Sequence, residues 1–163
     1  MRLLLAALSL LFECGAALAQ GYPNKPITFV IPFAAGGDSD LSGRNVAQFA
    51  TKYLNNQPIV PVNRVGASGV IGAMAVRTAP PDGYTLLVGR IATHAVVPAL
   101  DSKAPYKWNE FTMLSLIELN PYICFVKGDS PYRTAAALMA EIRANPGKLN
   151  FSTAGIGTSQ NMA

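Results

Sequence analysis

Charge is scarce in this 163-residue chain, at 13% of residues, and it is unpatterned: 13 Lys and Arg against 9 Asp and Glu leave a formal +4. The basic residues from Lys25 to Lys148 stand singly, with no interleaved aromatics, so a nucleic-acid surface has no footprint. Histidine is limited to His94 and cysteine to Cys14 and Cys124, with no second His or Cys at ligand spacing, which excludes the usual zinc or copper site. No G-x-S-x-G nucleophile elbow occurs, and His94 is tied to no Ser or acid by a motif. No uninterrupted apolar run reaches the roughly 18 residues of a membrane span. No catalytic residue, metal or cofactor is therefore expected. What the chain does have is a 50% hydrophobic composition, enough for a packed core.

The first residues read as a secretory signal, residues 1–19. Arg2 precedes an apolar run over 3–12, and Ala17-Leu18-Ala19 supplies an A-x-A cleavage site before Gln20. Glu13 before Cys14 argues against lipidation. Cleavage removes Cys14 and leaves Cys124 alone, so no intramolecular disulfide is possible. Cys124 lies in an apolar run, Tyr122-Ile123-Cys124-Phe125-Val126, and is expected to be a small buried hydrophobe.

Beyond the signal, strands and helices alternate. Residues 27–32 are a β-rich apolar run, followed by glycines and by Asp38-Ser39-Asp40, good helix-capping types. Val46, Phe49, Ala50, Tyr53 and Leu54 then form the stripe of a helix packed on a sheet, stopped at Asn55-Asn56-Gln57-Pro58. A second strand over 59–62 leads through a loop to a helix from about Val70 to Ala79, and a turn at Pro81-Asp82-Gly83-Tyr84 precedes a third strand over 85–88. No single assignment is forced on 90–109. Strands are expected over 111–117, 122–127 and 149–153, and a helix capped by Thr134 carries Leu138, Met139 and Ile142. Such alternation implies an α/β fold with a mostly parallel sheet, whose ligands bind where loops leave the carboxyl ends of strands.

Two loops share one design, strand then glycines then helix: Phe33, Ala34, Ala35, Gly36 and Gly37, and Ala154, Gly155, Ile156, Gly157 and Thr158. Free amides and the following helix dipole favour an anion there, and two such ends facing each other would grip a small carboxylate. Ser152, Thr153, Thr158 and Ser159 add hydroxyls. Tight turns alone are the alternative. The middle loop, with Gly66, Gly69 and Gly72, is spaced G-x-x-G-x-x-G rather than as a dinucleotide fingerprint, and packing of a small-residue helix explains it better.

Several motifs, in order, resemble those of the tripartite tricarboxylate transporter receptors, or Bug proteins, periplasmic solute-binding proteins of bacteria. Pro32-Phe33-Ala34-Ala35-Gly36-Gly37 with Asp40 and Arg44 resembles the family's P-F-x-x-G-G-x-x-D-x-x-x-R. Asn63-Arg64-Val65-Gly66-Ala67-Ser68-Gly69-Val70-Ile71-Gly72 resembles its N-R-P-G-A-G-G-x-I-G, and Pro81-Asp82-Gly83-Tyr84-Thr85-Leu86-Leu87 its P-D-G-Y-T-L-L. Asn145-Pro146-Gly147-Lys148-Leu149 and the stretch 152–158 resemble its N-P-G-K-L and S-x-G-x-G-[ST]. Val65, Ser68 and Asn161 depart from the pattern.

The resemblance implies a two-lobed, hinged receptor of the periplasmic-binding-protein type (type II, a Venus flytrap), a Gram-negative periplasmic location, and delivery of a small organic acid to membrane transport subunits. The acid would be a di- or tricarboxylate, an amino acid or an aromatic carboxylate. It further implies a first α/β lobe over 20–118 and the start of a second over 119–163, with the ligand held by Phe33, Ala34, Ala35, Gly36, Gly37 and Asp40 on one lobe and by residues 152–159 on the other. The loop Arg90 to His94 is expected to overlook the cleft, with Thr93 a ligand contact. Because the family's mature chain is about twice as long, a truncated product without a complete cleft is a second expectation. An exported hydrolase using His94 with a nearby Ser or Thr is a third.

Overall fold

The computed structural model describes residues 21–153 and 158–162; the signal segment lies outside them. Residues 27–31 are all apolar or β-branched and form β1 (Ile27–Ile31), which is buried along nearly its whole length, with Ile31 at 0% exposure. A strand buried on both faces belongs in the middle of a parallel sheet. It pairs in parallel with β2 (Ile59–Asn63) on one side, Ile27 opposite Ile59 and Ile31 opposite Asn63, and with β3 (Thr85–Leu87) on the other, Thr28 opposite Thr85 and Val30 opposite Leu87. The order is therefore β2-β1-β3.

Two crossover helices cover this sheet. Helix α1 (Asp38–Ala50) packs against β1 and β2, and α2 (Val70–Arg77) against β1 and β3. Ile27, Phe29 and Ile31, alternating along β1, meet Ala47 of α1, with Ile59 and Val88 completing the cluster and Val46, Ala50 and Leu54 packed on it. The expected stripe of α1 is therefore half right. Phe49 and Tyr53 are 62% and 78% exposed: Phe49 lies two residues, about 200°, round the helix from buried Ala47, and at Tyr53 a tighter 3-10 turn over Thr51–Tyr53 has replaced the α-helical spacing. The buried face of α1 instead starts with small and polar residues, Ser39, Asp40 and Gly43. At Gly43 a Cβ would come within 3.0 Å of Ile31 Cδ1, so glycine permits the close approach of helix and strand.

After β3 comes a stretch of unusual helix: a π-helical turn over Ala92–Val96 continues directly into α3 (Val97–Leu100), and a 3-10 turn follows at Trp108–Glu110. Farther on, α4 (Ala135–Ala144) starts where expected, with the Thr134 hydroxyl accepting from the Ala137 amide at 3.1 Å. No residue of α4 is buried, so its first turn leans on that cap. Thr134→Ala should destabilise the helix by about 1 kcal/mol, read as severalfold faster hydrogen exchange at the Ala137 amide. A last turn, α5, spans Ser159–Met162.

The strands expected over 111–117, 122–127 and 149–153 are not formed among the described residues. Their apolar side chains face water: Leu114, Leu116, Ile123, Phe125 (88% exposed) and Phe151. Extended chain becomes a strand only when a neighbour takes its backbone groups, and the described sheet stops at β3. The expected burial of Cys124 fails for the same reason, since its thiol is exposed.

Candidate functional site

Parallel strands place all their following loops on one edge of the sheet, and with the order β2-β1-β3 the first connection runs outward from β1 to β2 while the second runs the other way, from β2 past β1 to β3. The crevice of such a sheet opens at that switch point, between the loops after β1 and β3. Phe33 to Gly37 follow β1, and Arg90 to His94 follow β3. The loop after β2 closes the group: a Cβ on Gly69 would lie 2.3 Å from Thr93 Cγ2 and 3.4 Å from Phe33 Cζ, so the three loops touch.

The first glycine loop is held from below. Asp40, 3% exposed, accepts from the Gly36 amide at 2.9 Å and from Arg44 Nε at 2.8 Å on one oxygen, and from Asn63 Nδ2 at 2.9 Å on the other. Asn63 also donates to the Phe33 carbonyl at 3.0 Å and accepts from Arg44 Nη2 at 3.1 Å. The Arg44 hydrogen bond, then the Gly36 amide and Asn63, hold the Asp40 carboxyl far below the usual carboxylate range, and Asp40 in turn raises Arg44. Asp40 is thus a strut of the loop, with each oxygen already committed to this lobe. Gly36 has φ +80°, which favours glycine, and its amide is turned onto Asp40. The Gly37 amide reaches the Ala34 carbonyl at 3.3 Å. No acceptor among the described residues takes the amides of Ala34 and Ala35, which leaves both free at the exposed tip of the loop.

Thr93, expected as a ligand contact, is fully buried, and its polar atoms are bonded within its own loop and to Tyr106. Its hydroxyl donates to the Arg90 carbonyl at 2.8 Å and accepts from the Arg90 amide at 3.1 Å, while its carbonyl accepts from the Tyr106 hydroxyl at 2.8 Å. Thr93 Oγ1 also lies 2.9 Å from His94 Nδ1. Burial lowers the pKa of His94, whose ring packs edge-on to Phe111 at 4.9 Å. A His–Thr pair is therefore present, but the hydroxyl is closed to any substrate. An apolar hollow of about 410 Å³ lined by His94, Ala95, Pro98, Ala99, Trp108 and Met113 shares only His94 with these loops.

Of the second expected grip, Ser152 is exposed, Thr153 half-buried and Thr158 buried at 2% exposure. Ala154, Gly155 and Gly157 lie outside the described residues, and Ser159 opens α5. Sequence reasoning put Arg90 in a loop overlooking the cleft, Asp38 among the capping types and Asn63 in a motif, but gave none of the three side chains the bonds that tie these loops together. Asn63 stands at the carboxyl end of β2, where a polar side chain in an apolar strand is the one signal that could have found it.

Comparison with known proteins agrees with this fold. The profile described as "Tripartite tricarboxylate transporter family receptor" matches residues 43–163. A UPF0065 protein of Bordetella pertussis is 32% identical over 158 residues, which is 97% of this chain and 49% of that protein. Among solved structures, the malate-bound MatC of Rhodopseudomonas palustris superposes with a TM-score of 0.77 at 32% identity, over 85% of this chain and 47% of that one. An adipate-bound R. palustris protein superposes at 0.70 with 27% identity, over 85% and 46%. The chain spans about half the length of the curated relatives it matches, and its α/β architecture is that of the periplasmic binding proteins.

Proposed function

Because the chain belongs to the tripartite tricarboxylate transporter receptor family, we propose that it is a periplasmic receptor, exported by its leader, that captures a small organic carboxylate and hands it to membrane transport subunits. One observation carries this reading: three loops converge on the carboxyl edge of a parallel sheet, beside a helix start, with the Ala34 and Ala35 amides left unclaimed. Such a site binds an anion through backbone donors and needs no catalytic group. That relatives bind malate and adipate supports a carboxylate. Among the described residues no helix is long and apolar enough to cross a membrane.

In this reading residues 20–118 build the first lobe, residues 119–163 begin the second, and Ser152, Thr153, Ala154, Gly155, Gly157, Thr158 and Ser159 supply the opposing half of the grip. The buried Thr93 hydroxyl speaks against the hydrolase alternative. The test is a thermal melt of the protein with and without carboxylates of one to three acid groups. A true ligand at about 100 times its Kd adds about 2.7 kcal/mol and raises the midpoint. A panel in which no acid moves the midpoint overturns the reading.

A further inference from the structure

Arg90 stands at the switch point of the sheet, on the loop leaving β3, and its guanidinium spans the crevice edge. Nη2 donates to Asp38, the residue directly after the glycine loop, and Nη1 donates to Glu118 at 3.0 Å. With 21% of its side chain exposed, it is more enclosed than Arg44 or Arg77 in their ion pairs. Its backbone is clamped from both sides by the Thr93 hydroxyl. This is a charged fork held rigidly beside the loop whose amides take the first carboxylate.

The two acids on Arg90 differ in how firmly they are held. Asp38 also accepts from the Ser39 amide at 2.7 Å and hydroxyl at 3.3 Å, at the start of α1. Glu118 lies in irregular chain, and its Oε1 is shared only with Asn120 Nδ2 at 2.9 Å among the bonds described. A guanidinium takes one carboxylate in place of another with the same charge-assisted geometry, so Glu118 can leave for water when a second carboxylate arrives. We propose that Arg90 reads the second carboxylate of a short dicarboxylate ligand and that Glu118 is the built-in competitor the ligand displaces. The inference rests on the carboxylate-receptor reading above and adds the residue that separates dicarboxylates from monocarboxylates.

The test compares succinate with butyrate, equal in carbon number and different by one carboxylate, by titration calorimetry on the full chain. The parent chain should prefer succinate. Arg90→Gln should weaken succinate by about tenfold or more, the loss of one charged hydrogen-bond partner, and leave butyrate within about threefold. Glu118→Gln should tighten succinate and leave butyrate unmoved, and Arg90→Lys should restore part of the preference. Arg143→Gln, on the exposed face of α4, controls for net charge and should change neither acid. If Arg90→Gln weakens both acids equally, or if Glu118→Gln leaves succinate unchanged, the proposal falls. Should Arg90→Gln fail to fold, Glu118→Gln decides alone. A parent chain that binds butyrate as well as succinate overturns the role of Arg90 while the receptor reading stands; one that binds neither these acids nor any other carboxylate overturns both.

Discussion

Asp40→Asn is expected to weaken every carboxylate ligand by about tenfold or more and to melt below the parent chain at neutral pH. The acid accepts three donors from three elements: the glycine loop through Gly36, α1 through Arg44, and the end of β2 through Asn63. An amide has one accepting oxygen and one donating nitrogen, so in either orientation its NH2 faces a donor. Turning Asn63 over does not relieve this, because its own amide is spent on the Phe33 carbonyl and Arg44. The loop that carries Ala34 and Ala35 thus loses its support, and the two amides lose their fixed direction. Acid titration gives a second readout. Asp40 has a folded-state pKa far below its unfolded value, so its stabilisation is present above the ordinary carboxylate range and is lost as pH falls through the folded value. Melts between pH 7 and 3 should fall less steeply for Asp40→Asn than for the parent. They should not become flat, since Asp82, Glu110 and Glu141 are lowered as well by their own partners. A variant that melts and binds like the parent would remove Asp40 from the site.

The first half of the fold was legible because its signals are local. The apolar run of β1, the proline stop after α2 and the turn before β3 each act within a few residues, and each element lies within a few residues of its expected place; Asp38 to Asp40 mark the start of α1 but do not cap it, since Gly37 holds the cap position with no side-chain cap. The later strands were not legible for the opposite reason. The pattern over 111–127 is that of strands, but pairing depends on a neighbour that a local pattern cannot specify, and among the described residues those segments stay unpaired. The site divides in the same way. Glycines after a strand announce an anion loop, whereas Asn63 reaches Phe33 across 30 positions and Arg90 reaches Asp38 across 52. Such contacts appear only once the parallel register sets the strand ends side by side. The motif points to Asp40 but not to how it acts. Its spacing from the glycines places it under the loop, where its charge organises amides and both its oxygens are taken by this lobe.

Gly69→Ala tests whether the three loops work as one unit. Gly69 has φ +95°, and its missing Cβ would sit 2.3 Å from Thr93 Cγ2 and 3.3 Å from Pro32 Cβ. The left-handed backbone costs a non-glycine residue about 1 kcal/mol or more, and forcing a methyl into a filled space costs about 1 to 3 kcal/mol. Together these should lower the melting midpoint by roughly 5 to 10 °C for a chain of this size. Thr93 cannot retreat alone, because its hydroxyl is bonded to both backbone groups of Arg90, so the strain passes to the guanidinium on Asp38 and Glu118. The variant should therefore lose preference for succinate over butyrate along with stability. Gly147→Ala is the control. Gly147 has φ +77° but nothing within 4 Å of its missing Cβ and lies after α4, away from these loops, so only the backbone cost of about 1 kcal/mol remains. Equal losses in the two variants would mean that the contact between Gly69 and Thr93 carries no strain to Arg90, and that the loops after β2 and β3 meet the ligand independently.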